Sequence, residues 1–267
     1  MPSRPWVLSE IHYSATKSTT YEVAVLPFGA TEPHNLHLPY GTDTYEADAI
    51  GSRICEAAYD QGARVVLLPT IPYGTETNMR SLPLAMNLYP GTLHYVIRDL
   101  VESLVRSGIR KVLLLNSHGA NEFKPVLREL AGQTPAHLFV CNWFRIIQDR
   151  YHDIFTHAED HAGEMETSLM LANHPGLVRT DDDGRLMSDE GATCLSRFKA
   201  VNEGWVGLTR DWDLLTSNTG SGNPLEASAE KGNQLMDLLV DRLSEFLVEL
   251  SQSKLDEQFP FEQPDSP

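Results

Sequence analysis

Four short apolar runs, rich in branched side chains, set the tightest limit on how this 267-residue chain can fold. They are Val23–Gly29, Arg64–Thr70, Lys111–Asn116 and His137–Trp143. Each is close to continuously apolar rather than alternating, which is the pattern of a strand covered on both faces. Segments with helical spacing lie between them. Thr44–Tyr59 carries Ala47, Ile50 and Ile54 on one side, and Leu93–Ser107 carries Val96, Leu100 and Leu104 behind an opening turn at Pro90-Gly91-Thr92; Glu122–Gly132 is a third. Strand and helix in alternation predict an α/β fold: three layers, α/β/α, around a mostly parallel central sheet.

The second half reads differently. Glu164–Asn173 is helix-like and ends near His174-Pro175-Gly176. Residues 190–222 are Gly-rich and irregular, and are expected to form an active-site lid or a long loop with short strands. Asn223-Pro224 is expected to open a long amphipathic helix reaching Ser253, with Asn as its N-cap and Pro in its first turn. The length suits one domain over residues 1–255, followed by a Pro-rich, acidic and disordered tail over 256–267. A net charge of −16 argues against nucleic acid and anionic membranes as partners. Cys55, Cys141 and Cys194 are odd in number and widely spaced, so neither a disulfide framework nor a thiolate zinc site is expected, and Cys141 reads as a small buried side chain. The first residues lack the apolar centre of a signal peptide, and no stretch approaches the roughly 20 apolar residues of a membrane span; a cytoplasmic protein is expected.

The polar residues that follow the strands share one chemical character. After the first strand come Glu32, His34, His37 and Asp43; after the third, Ser117-His118-Gly119-Ala120-Asn121; after the fourth and a loop, Asp160-His161-Ala162-Gly163-Glu164-Met165-Glu166-Thr167-Ser168. In a parallel sheet these strand ends share one edge, so the three groups converge. Carboxylate oxygens and imidazole nitrogens together suit Zn²⁺ or Mn²⁺. If two ions are held, one carboxylate must bridge, and Asp43, just behind the Gly41-Thr42 turn, is placed to reach inward. Each residue alone has a plainer reading. Glu32 and His34 suit a solvated loop, His37 before Leu38-Pro39 suits packing, and His118 suits a hydrogen bond to a turn. Glu164 and Glu166 suit the positive end of a helix, and Asp160 and Thr167 suit caps. Their joint occurrence behind the expected strands is what favours a metal centre. A serine hydrolase is disfavoured, because no G-x-S-x-G elbow is present.

At these positions the chain resembles the creatininase family of metal-dependent amidohydrolases. The first motif is Phe28-Gly29-Ala30-Thr31-Glu32-Pro33-His34-Asn35-Leu36-His37-Leu38-Pro39-Tyr40-Gly41-Thr42-Asp43. The second is Leu113-Leu114-Leu115-Asn116-Ser117-His118-Gly119-Ala120-Asn121, and the third runs from His161-Ala162-Gly163 to Glu166-Thr167-Ser168. Tyr89-Pro90-Gly91-Thr92 and Gly222-Asn223-Pro224 with Ala227–Gly232 add two lesser motifs. The resemblance implies a two-ion centre using Zn²⁺ and/or Mn²⁺, with Glu32 and His118 on one ion, His34 on the other and Asp43 between them. Creatininase itself has a Glu two residues after the second-motif His. Ala120 stands there in this chain, so Glu166, or else Glu122, is expected to supply the missing ligand. The resemblance makes His161 the general acid for the leaving nitrogen. Family members are often homohexamers, which implies a homo-oligomer.

The implied reaction is cleavage of a C–N bond in a small, cyclic amide by a metal-bridging hydroxide. Creatinine itself is disfavoured, because Phe155-Thr156-His157-Ala158-Glu159-Asp160 lacks the ring-clamping Trp and because Pro33 and Asn35 depart from the family's usual Gln and Gly. Ser117, Asn121 and His37 are expected to support the ligands, with Tyr73 and Trp205 touching substrate. Hydrolysis or isomerisation of a cyclic keto-polyol or lactone on the same site is one alternative, and a non-catalytic metal-stabilised binding protein another.

Overall fold

A computed structural model describes residues 3–262. Its four strands are β1 (Val23–Phe28), β2 (Val65–Leu67), β3 (Lys111–Asn116) and β4 (His137–Asn142). They pair in the order β2-β1-β3-β4, all parallel. The principal helices are α1 (Thr42–Asp60), α2 (Pro90–Arg106), α3 (Lys124–Leu130), α4 (Glu164–Asn173) and α5 (Ala229–Gln252). The expected α/β architecture with a parallel sheet and flanking helices is what forms.

Successive strand residues point to opposite faces, and this splits the core in two. Val23, Val25, Leu113 and Leu115 pack with Ile50 and Ile54 of α1 and Leu235, Leu239 and Leu247 of α5. Ala24, Leu26, Phe28, Val112 and Leu114 pack with Ile97 and Val101 of α2 and Val126 and Leu130 of α3. Every residue of β1 and β3 is buried, which is why those runs carry no alternation. β4 is an edge strand and only half-buried, so Cys141 is less enclosed than its apolar run predicts.

The long C-terminal helix begins later than expected. Ser228, not Asn223, is its N-cap, and the Ser228 Oγ accepts from the Lys231 N–H at 3.2 Å. Asn223 Oδ1 instead accepts from the Leu225 N–H at 3.0 Å, which leaves Pro224 in a turn. The start is set by a close crossing: a Cβ on Gly232 would lie 2.0 Å from the Ser168 carbonyl of α4. At the other end of α5, the buried Lys111 ammonium donates to the carbonyls of Leu250 at 2.8 Å and Ser251 at 3.3 Å. The tail expected to be disordered packs its Phe259 ring edge-on against His137, with centroids 4.7 Å apart; residues 263–267 lie outside the described part. Among the described residues, no helix is long and apolar enough to cross a membrane.

The strand order positions the site. From β1 the chain passes to β2 on one side and then returns across β1 to β3 on the other. The C-terminal ends of β1 and β3 therefore flank the point where the winding reverses, the usual place for a crevice in an open α/β sheet. Phe28 pairs with Asn116 there, and the Ser117 N–H donates to the Phe28 carbonyl at 2.9 Å.

Candidate metal centre

Three imidazoles converge at this crevice, and a backbone carbonyl fixes the outer nitrogen of each. His34 Nδ1 donates to the Glu32 carbonyl at 3.0 Å, His118 Nε2 to the Thr75 carbonyl at 3.2 Å, and His161 Nε2 to the Pro33 carbonyl at 2.9 Å. A carbonyl only accepts, so each outer nitrogen carries the hydrogen, and the inner one of a neutral ring presents a lone pair. These inner nitrogens face carboxylates. His34 Nε2 is 3.0 Å from Asp43 Oδ1; His118 Nδ1 is 2.9 Å from Glu32 Oε1 and 3.1 Å from Asp43 Oδ2; His161 Nδ1 is 3.8 Å from Glu32 Oε1.

Lone pairs aimed at anionic oxygens repel unless a positive charge lies between them. The carboxylates need one too. Both oxygens of Glu32, and Asp43 Oδ2, are buried and accept no hydrogen bond. Leaving such groups unpaired in a low-dielectric interior is strongly destabilising. One donor atom each from His34, Asp43 and Glu166 lies within 4.8 Å of the others, and the same holds for Glu32, His34 and His161 and for Glu32, Glu76 and His118. The donor set, its burial and its orphaned oxygens therefore fit divalent cations.

Local structure explains how each side chain arrives. Asp43 is in the first turn of α1, directed inward by the Gly41-Thr42 turn. His118 follows β3, and Asn116 brackets it by donating to its carbonyl at 2.8 Å and accepting from its N–H at 3.2 Å. Glu166 lies in the first turn of α4, where its side chain accepts from the Ala162 N–H. That turn is capped by Glu159, whose carboxylate takes the N–H groups of Met165 and Glu166 at 2.6 and 3.2 Å, so the plainer reading of Asp160 and Thr167 as caps does not apply. Glu122 is exposed and away from the ligand groups, so Glu166 is the carboxylate that joins His34 and Asp43.

The supporting residues are distributed as follows. His37 Nε2 meets Thr167 Oγ1 at 2.8 Å behind the centre. Asn121 Oδ1 accepts from the Thr75 N–H at 3.0 Å and so holds the carbonyl that anchors His118. Ser117 accepts from Trp143 Nε1 at 2.7 Å and donates to Glu46 at 3.2 Å. Tyr73 and Trp205, expected to touch substrate, are 45% and 73% exposed, and neither lines the pocket. The pocket is lined instead by Phe144 and by Trp212, which is buried and set edge-on to His161 with centroids 5.5 Å apart. Within the irregular 190–222 segment nothing local separates one Trp from the other. Glu46, Glu76, Asn78 and Arg210 also escaped sequence reading. Asn78 and Arg210 line the pocket over the centre, a cavity of about 240 Å³. Arg210 pairs with Asp160 at 2.9 Å across its mouth.

The Creatininase family model, described as creatinine amidohydrolase, matches residues 10–247. The chain belongs to the creatininase family. It is 32% identical to the creatinine amidohydrolase of Pseudomonas putida over 179 residues, covering 60% of this chain and 67% of that one. It is 26% identical to the mycofactocin precursor peptide peptidase of Mycobacterium ulcerans over 241 residues, covering 88% and 89%. A crystal structure provisionally assigned as a creatinine amidohydrolase from Bacteroides fragilis superposes with a TM-score of 0.85 at 36% identity, over 94% and 98% of the two chains. More distant creatininase structures, at 21% and 22% identity with TM-scores of 0.75 and 0.76 over 94% of this chain and all of theirs, include a Mn form and a Zn–Zn form. As a creatininase-family protein, this chain is a metal-dependent hydrolase of C–N bonds.

The electrostatics of this creatininase-family centre follow from its burial. Burial pushes the Glu32 carboxyl well above the usual carboxylate range and takes Glu166 to about 7. Burial opposes charge on His34 and His118, yet Asp43 beside the first raises it to about 10, and Glu32 beside the second raises it well above its ordinary value. Without metal, protons on these rings take the place a cation would occupy. His161 behaves oppositely. Burial, with the charge on His34 behind it, lowers it to about 3 and keeps the ring neutral.

Proposed function

We propose that the protein hydrolyses an amide bond of a small substrate, cyclic amides first among them, at a centre of two divalent ions, Zn²⁺ or Mn²⁺. The observation that carries this is the convergence of carbonyl-anchored imidazoles on buried carboxylates that have no hydrogen-bond donor. Glu32 and His118 would hold one ion, His34 and Glu166 the other, and Asp43, with an oxygen toward each histidine, would be shared. Bound ions supply Lewis-acid polarisation of the scissile carbonyl and make a water acidic enough to attack near neutral pH.

The remaining work falls to this chain's own side chains. His161 is neutral, and its Nε2 hydrogen is committed to Pro33, so its Nδ1 lone pair is free at the pocket. That atom takes a proton from the attacking water and delivers it to the departing nitrogen, help worth about 10²–10⁴ in rate. Its orientation is fixed on three sides: by Pro33, by the His34 ring at 4.2 Å and by Trp212. The cavity of about 240 Å³ suits a small ring.

Metal analysis of the purified protein tests this reading, with two tightly bound divalent ions per chain expected. Asp43→Ala should lose both the metal and the amidase activity. A protein that binds no divalent ion, or an Asp43→Ala variant as active as the parent, would overturn it.

A longer substrate is a second reading, favoured by one feature. Asn78, Ala120 and Arg210 line both the small cavity and a cleft of about 1130 Å³ between α2, α3 and the 208–210 segment. The side chain at 120, on the boundary between the two spaces, is small. A peptide end cleaved at the centre could continue into this cleft, in keeping with the peptidases among the relatives. Ala120→Leu would narrow the junction. Under this reading kcat/KM for peptide amides falls about tenfold or more relative to that for a cyclic amide; an unchanged ratio would discard it.

A further inference from the structure

Glu76 lies in the loop between β2 and α2, outside every motif of the metal centre. Its backbone is held firmly: its N–H donates to Asn87 Oδ1 at 2.8 Å, and its carbonyl accepts from the Met79 N–H at 3.0 Å. Asn121 fixes the preceding residue through the Thr75 N–H at 3.0 Å, which ties this loop to the end of β3.

The side chain has no exposed surface, and neither carboxylate oxygen accepts a hydrogen bond. Two carboxylates at the start of α4 show the contrast. Glu164 pairs with Lys231 and accepts the N–H groups of Thr156 and His157 at 2.9 Å each, and Glu159 accepts those of Met165 and Glu166. Glu76 shares its lack of donors with Glu32, and the two lie beside the same imidazole. Glu76 Oε1 is 2.9 Å from His118 Nε2, but the hydrogen on that nitrogen is directed at the Thr75 carbonyl instead. One oxygen of Glu32, one oxygen of Glu76 and one ring nitrogen of His118 all lie within 4.8 Å of one another. That separation is one a single cation can span.

We infer that Glu76 is a ligand of the ion held by Glu32 and His118, which rests on the two-ion reading above. Two adjacent buried carboxylates share one imidazole and have no hydrogen-bond donor of their own, so a single imidazolium offsets only part of their charge and a divalent ion supplies what is missing. With their protons displaced, Glu32, Glu76, Asp43 and Glu166 would present four negative charges, the number that two divalent ions balance. The chain that has Ala120 where the creatininase motif has Glu thus draws a further carboxylate from a different loop.

Crystals of the wild-type protein loaded with Mn²⁺ give a direct test by anomalous scattering. A Glu76 oxygen is expected within bonding distance of one ion, near 2.0–2.2 Å, as carboxylates bind such metals. Chelator competition on Glu76→Gln should show one of the two ions weakened by at least about tenfold, with the second retained. The thermal midpoint of the metal-free variant should not fall below that of the metal-free parent, because Gln removes an unpaired buried charge. Both Glu76 oxygens beyond about 3 Å from each ion, or wild-type affinity for both ions in Glu76→Gln, would overturn the assignment. Asp43→Ala, measured in parallel, separates the two levels. If it keeps its metal, the two-ion centre itself fails; if it loses metal while Glu76→Gln does not, only the role of Glu76 fails.

Discussion

His161 shows how much a single backbone acceptor can decide. With Nε2 donating to Pro33, only Nδ1 is left for chemistry, and it faces the carboxylates of the centre. His161→Asn should lower kcat by about 10²–10⁴ while the metal content stays at the wild-type level; metal analysis beside steady-state kinetics checks both. Loss of an ion would instead make His161 a ligand. His37 carries a different consequence. Burial, followed by the charge on His34, lowers it to about 4, against about 6.5 in an unfolded chain. Between those values the unfolded state binds more protons than the folded one, so stability rises with pH across that window. The contribution is complete above about pH 6.5 and is lost as pH falls towards 4. Urea midpoints measured over this range should drop with acidification, and less steeply in His37→Gln.

Among the helices, the crossing of α4 and α5 has the least room. Gly232 is an internal helix residue, where Ala would ordinarily gain about 1 kcal/mol in helix propensity. Here the added Cβ would meet the Ser168 carbonyl at 2.0 Å, a backbone atom that cannot rotate away. Overpacking of this kind costs about 1–3 kcal/mol, so Gly232→Ala should lower the thermal midpoint despite its better propensity. A rise in the midpoint would mean that the helices separate easily. The same crossing explains why Asn223-Pro224, a good local signal for a helix start, is passed over. α5 must begin where Ser228 can cap it and Gly232 can lie on α4.

Across the whole molecule, the buried charges of the centre are opposed to folding until a cation arrives. A ligand that binds only the native state at about 1,000 times its Kd adds about 4 kcal/mol of stability. For a chain of this size that corresponds to roughly 10 °C in Tm. Exhaustive chelation should therefore lower the melting temperature by about that amount, and restoring Zn²⁺ or Mn²⁺ should recover it. An unchanged melting temperature would show that the folded protein tolerates the empty centre. The architecture sets this tension. The reversal of winding between β1 and β3 places both sets of ligands at the floor of the crevice at the strands' C-terminal ends, where burial leaves little solvent to screen them.

The layered fold was readable because its determinants are local. A strand buried on both faces must be apolar throughout, and β1 and β3 are. The ligand-bearing segments were readable because each directly follows a strand or opens a helix, and the parallel order brings those ends together. Other assignments depended on contacts between distant segments. Glu76 and Glu122 are both isolated carboxylates in polar loops, yet Glu76 is sealed against His118 and Glu122 faces outward. Trp205 and Trp212 lie in one irregular segment, and only the path of that segment puts Trp212 against His161. Sequence alone thus determined the fold class and the chemical kind of the centre, through periodicity and residue type. Only the tertiary structure decided which carboxylates and which aromatic surround it, because burial and donor supply depend on residues far apart in the chain.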